Sequence, residues 1–141
     1  MAKRLTWKEY DYTVQIGPGN SWIYRPLINI EISARIGDMN VPLKGLIDSG
    51  TDGTLIDASV ADKLHIDSST CKKVKLGGIG STEGFLSNVE LTVPDFSMRM
   101  DVPVVFAHKL PMEALLGQRH FFQRFKIRFE KDKNKFYLAS L

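Results

Sequence analysis

A carboxylate at the end of a buried strand is costly unless hydrogen-bond donors surround it, and Asp48 stands in that position. The apolar stretch Gly45-Leu46-Ile47 runs straight into Asp48-Ser49-Gly50. Thr51, a second acid at Asp52, Gly53 and another apolar strip, Thr54-Leu55-Ile56, follow. Glycine at position 50 lets the backbone come close enough for amide groups to point at the carboxylate. The hydroxyls of Ser49 and Thr51 can hold the loop or donate to the acid. An acid held in this way suits proton-transfer chemistry. The same residues also make an ordinary Asx-type turn between two strands, and spacing alone favours that turn.

Two further segments bear on the choice. In "VKLGGIGSTEGF", residues 74–85, Gly77, Gly78, Gly80 and Gly84 lie between strand-like flanks, with Ile79 near the apex. Such a hairpin suits a mobile lid, and an ordinary hairpin loop has the same composition. It does not read as a phosphate loop, because no lysine follows at the required place and no helix opens there. In "EALLGQRHFFQRFKIRFE", Leu115-Leu116-Gly117 reads as an apolar strand ending in glycine. A short helix follows it, with Phe121, Phe122 and Phe125 expected in the core.

Other chemistries find little support. His65, His108 and His120 are far apart, with neither HExxH spacing nor a cysteine pair, so no metal is expected. No GxSxG elbow or Walker lysine motif is present. Cys71, in "STCKKVKL", is expected on a strand as a small apolar residue rather than a nucleophile.

The elements that must position these groups are mostly strands. Ile28, Ile30 and Ile32 alternate with polar residues, as do Val89, Leu91 and Val93, and then Met98, Met100 and Val102. Gly37-Asp38-Met39-Asn40 reads as a hairpin turn into "VPLKGLI". The charged stretch Lys131 to Asn134 reads as a turn between two final strands. Asp57 is placed to cap a short helix over "ASVADKL". The expectation is a mostly-β barrel or folded sandwich with one or two short helices.

The 141 residues are 43% hydrophobic and 25% charged, ordinary values for one globular domain. The net charge of +3 is spread among interspersed acids and bases, so a specific nucleic-acid partner is not expected. A single cysteine excludes an internal disulfide and points to a reducing, cytoplasmic setting. Neither a secretory signal nor a membrane span is expected.

Taken in order, "LIDSGTDGTLI", "LGGIGSTEGF" and "ALLGQRHFFQRFKIRFE" resemble the retropepsin-like aspartic proteases. The resemblance implies a single-domain acid-protease barrel, with residues 24–141 as its core and residues 1–23 as an N-terminal extension. It implies that Asp48 is the catalytic aspartate and that Ser49 locks two active-site loops together across a dimer. Gly50 would let the loop approach the carboxylate, and Thr51 would hydrogen-bond its outer oxygen. Asp52 would contact substrate backbone, and Gly77, Gly78, Ile79 and Gly80 would form a flap tip. Many relatives carry arginine directly after the late glycine, paired with the acid corresponding to Asp52. Here Gln118 stands there and Arg119 follows.

The chemistry implied needs two carboxylates sharing one proton: one takes a proton from water, the other polarises the scissile carbonyl. The chain has one Asp-Ser-Gly, so a two-lobed enzyme is excluded and the expected partner is a second copy. A peptide or protein is the implied substrate, with no cofactor and no membrane. The alternative from another class is an inactive peptide-binding or dimerisation module on the same fold.

Overall fold

The computed structural model describes residues 4–35, 37–77 and 82–141. Its strands are β1 (Lys8–Asp11), β2 (Thr13–Ile16), β3 (Trp22–Arg25), β4 (Leu27–Ser33), β5 (Val41–Ile47), β6 (Thr54–Asp57), β7 (Lys72–Leu76), β8 (Thr82–Val93), β9 (Met98–Ala107), β10 (Ala114–Leu116), β11 (Phe125–Glu130) and β12 (Lys135–Ser140). Helix α1 covers Ala58–Lys63 and α2 covers Phe121–Arg124.

Six strands run in the order β4-β5-β10-β6-β9-β8, and β8 pairs back onto β4 to close a barrel. Closure is made by Glu31, Ile32 and Ser33 opposite Thr92, Leu91 and Glu90. Strand β7 extends the sheet from the outer side of β8. Alternation decides which side chains fill the interior. Ile28, Ile30 and Ile32 of β4 are buried, and so are Met100, Val102, Val104 and Phe106 of β9. Asp101 and Pro103 lie between them on the outer face. The fold is mostly β with two short helices, as the alternation and the resemblance imply.

Helix α1 starts where its cap dictates. The Asp57 carboxylate accepts the Ser59 amide at 3.2 Å, satisfying one of the first-turn donors. Ala58, Val60 and Ala61 turn inward. The final hairpin forms over the charged turn, with Asn134 at φ +51, a left-handed conformation that asparagine tolerates. Cys71 departs from expectation by one residue. It ends the 3-10 turn Ser68–Thr70, its amide bonded to the Ser68 carbonyl, immediately before β7.

The N-terminal segment forms three strands that the sequence pattern did not predict. Strand β1 joins β12, so β12 has strands of its own chain on both edges, β1 and β11. Tyr10 stacks on Phe136 with ring centroids 5.0 Å apart, and its hydroxyl donates to Asp95 Oδ2 at 2.9 Å. Burial first, and then the Asp95 carboxylate, hold the phenol proton on and push its pKa well above the usual tyrosine value. Among the described residues, strands β2 and β3 pair only with each other. Among the described residues no helix is long and apolar enough to cross a membrane.

Candidate active site

The loop of residues 48–53 joins β5 to β6, but these strands are not neighbours. Strand β10 lies between them, parallel to β5 and antiparallel to β6. All three β10 side chains are buried, which explains a continuous apolar run rather than an alternating one. The loop must therefore arch over the end of β10. The Asp48 amide continues the β5–β10 ladder by donating to the Leu116 carbonyl at 2.9 Å. Asp48 thus has a fixed backbone before its side chain is considered.

Both carboxylate oxygens of Asp48 are held. Oδ1 accepts the Gly50 amide at 3.0 Å, and Oδ2 accepts the Thr51 hydroxyl at 2.7 Å. The Thr51 amide also closes a turn onto the Asp48 carbonyl at 3.2 Å. The result is an Asx-type turn whose acid is half-buried. The turn and the presented acid are thus one structure rather than alternatives.

The strand that splits the loop also clamps it from below. Gly117, directly after β10, is buried against the loop: a methyl group there would lie 2.1 Å from the Thr51 carbonyl oxygen and 2.4 Å from that of Gly53. Beyond it, the Gln118 amide donates to Thr51 O at 2.8 Å and the Arg119 amide to Asp52 O at 2.7 Å. The Gln118 side chain adds a bond to Ser49 O at 2.8 Å. Four consecutive loop residues, Asp48 to Thr51, are thus tied internally or to the segment 116–118. In the sequence, Gln118 stands out only as a departure from the family pattern. The Leu-Leu-Gly step is the sequence's one signal of a close backbone contact.

Next in the chain, His120 is strained. At φ +67 and ψ −68, with the Phe121 amide bonded to Arg119 O at 2.8 Å, it forms a γ-turn of the rare kind. Its own amide is satisfied by Gln123 Oε1 at 3.0 Å. Phe121 and Phe125 are buried and hold α2 against the core.

A cleft of about 460 Å³ opens beside the loop. Gly50, Thr51 and Asp52 lie along it, and Leu76, Gly77 and Leu86 from β7–β8 face them. Asp48, Ser49, Gly50, Thr51 and Asp52 therefore share one loop, and Gly77 lies across the cleft from it. Gly78, Ile79 and Gly80 lie outside the described residues. Asp52 and Arg119 meet through backbone, and among the described residues no side-chain ion pair joins them. A cleft of about 500 Å³ near Lys63 to Ile66 is as large, so volume does not select the site. Asp48 itself does not line the cleft; what distinguishes the adjoining loop is an acid with both oxygens held.

Residues 32–119 match the family model described as aspartyl protease. The chain belongs to the aspartyl protease family. Among solved structures it is similar to a retropepsin-like aspartic protease from Rickettsia conorii, with 16% identity and a TM-score of 0.62, covering 99% of this chain and 97% of that one. It is also similar to the EIAV protease complexed with the inhibitor HBY-793, at 22% identity and a TM-score of 0.53, covering 70% and 86% of the two chains. No curated protein matches the sequence. This member of the family therefore has the retropepsin-like fold.

Proposed function

We propose that this family member is a homodimeric aspartic endopeptidase in which two Asp48 carboxylates, one from each subunit, activate water between them. The observation that carries this reading is the clamped Asp48, with Oδ1 on the Gly50 amide and Oδ2 on the Thr51 hydroxyl. Fixing both oxygens orients the acid before substrate arrives, which is the preorganisation that proton transfer needs. Two carboxylates brought together cannot both ionise easily, so the pair would hold one proton. The ionised member takes a proton from water as its oxygen attacks the scissile carbonyl, and the protonated member donates to the carbonyl oxygen. The amine then leaves with a returned proton.

In this reading Ser49 locks the two loops together and Gly50 provides the amide that faces the acid. Thr51 and Asp52, with Gly77, Gly78, Ile79 and Gly80, bind an extended peptide through its backbone, as a strand. No cofactor takes part. Residues 1–141 form one retropepsin-like unit, with 1–23 as an extension of its core, and the lone cysteine suits a reducing cytoplasm. The missing Asp52–Arg119 ion pair favours the alternative, a peptide-binding module without turnover. The Gln118 bond to Ser49 O supports the enzyme, since the loop is tied without that arginine.

The test is cleavage of a diverse peptide mixture from about pH 3.5 to about pH 7 by the wild type and by Asp48→Asn. Cuts made only by the wild type would support the dyad. Equal cutting by both would remove Asp48 from the mechanism. Binding without cutting by either would favour the module.

A further inference from the structure

We infer that the outer face of the β2–β3 hairpin is a contact surface for a second copy of this chain. The inference rests on the homodimer reading above and assigns part of its interface to a hairpin that begins in the N-terminal extension and ends at the edge of the family core. In the hairpin Val14 lies opposite Tyr24 and Ile16 opposite Trp22, and directly opposed residues in an antiparallel pair share a face. These four are 45%, 40%, 69% and 68% exposed, respectively. No charge interrupts them. From the usual side-chain areas they present roughly 400 Å² of apolar surface, about half of what one partner of a standard interface buries. A patch of that size on one small hairpin is at home in a contact rather than in water.

The opposite face of the hairpin is already used. Gly17 leaves room for Ile23, whose side chain occupies the space that any larger residue at 17 would need. Gln15, Ile23 and Arg25, with the edge of Ile16, line a cleft against Lys44 and Glu113 of the barrel side. Among the described residues the hairpin bonds to no third strand, and an isolated pair of strands is marginal in water. Covering its outer face would supply the missing support.

A second copy is the occupant that the location favours. Strand β3 runs through Pro26 into β4, and the Pro26 carbonyl accepts the Ile47 amide at 3.1 Å. Ile47 immediately precedes Asp48, so the hairpin is rooted one residue from the acid that a two-fold axis must approach. The C-terminal strand β12 offers no open edge, because β1 and β11 occupy both. A mainly apolar face can meet its own copy, as a two-fold contact requires. Lys131, whose Nζ lies 5.0 Å from the Tyr24 ring centre, marks its charged rim.

The chain has two tryptophans, Trp7 and Trp22, which allows a direct test. Trp7→Phe leaves Trp22 as the sole indole, and its emission is followed with concentration alongside sedimentation. Dimer formation should shift the emission to shorter wavelength. Trp22→Lys, checked for unchanged circular dichroism, should weaken dimerisation about 100-fold, tenfold for each copy. Its cleavage should recover at high protein concentration. A wild-type dimer with unshifted Trp22 emission, and a Trp22→Lys variant that dimerises equally well, would overturn the inference and leave the homodimer reading standing. A wild type that stays monomeric with and without peptide would overturn both.

Discussion

Replacing Gly117 with alanine adds one methyl group at the point where β10 passes under the acid-bearing loop. That group would lie 2.1 Å from Thr51 O and 2.4 Å from Gly53 O, both backbone atoms that cannot rotate away. Relief to an ordinary contact of about 3.4 Å requires roughly 1.3 Å of separation between loop and strand. Such a movement breaks the bonds from the Gln118 amide to Thr51 and from the Arg119 amide to Asp52. At about 1 kcal/mol for each bond and about 1–3 kcal/mol for forced overpacking, Gly117→Ala should destabilise the protein by about 3–5 kcal/mol. The part that stays folded should cleave about 100-fold more slowly, because Asp48 moves with the loop. Gly53→Ala is the comparison for stability: its added methyl meets nothing within 4 Å, so its cost should stay below about 1 kcal/mol. Urea titration measures both variants. If Gly117→Ala unfolds at the wild-type midpoint, the clamp is not what holds the loop, and the account of Asp48 positioning is wrong.

Two other outcomes follow from hydrogen bonds. Thr51→Val keeps the branched shape but removes the donor to Asp48 Oδ2, a bond to a charged group worth about 1.5–3 kcal/mol. The variant's kcat/KM should fall about tenfold to 100-fold, while Thr51→Ser should retain most activity. Tyr10 tests linkage at high pH. The folded protein keeps the phenol proton where the unfolded chain, near its usual value of 10.0, releases it. The folded state then binds more protons, so stability falls as pH rises above that value. Tyr10→Phe retains the ring stacked on Phe136 and loses the titration. Its melting temperature should decline less steeply than the wild type's in the alkaline range.

How much of this was legible from residues depends on distance along the chain. Alternation exposed β4, β8 and β9 because one face of each is buried, and Asp57 announced α1 because capping is local. The turn at Asp48 was legible for the same reason: its bonds span two or three residues. Its clamp was not, since Gln118 and Ser49 are separated by 69 positions and no periodicity reports which strand enters between β5 and β6. The N-terminal strands escaped notice for a different reason. Each has only four residues, too short a run for period-two alternation to stand out from chance.

The placement of β10 also sets a timetable for synthesis. Asp48 leaves the ribosome long before Leu116, Gly117 and Gln118, so its amide and the carbonyls of Ser49 and Thr51 must wait for partners still to be translated. Contacts this distant form late, after the entropy of closing the intervening loop has been overcome. A nascent chain, or any fragment ending before residue 116, carries the acid without the support that orients it. The loop that carries Asp48 is therefore completed only when nearly the whole barrel is present.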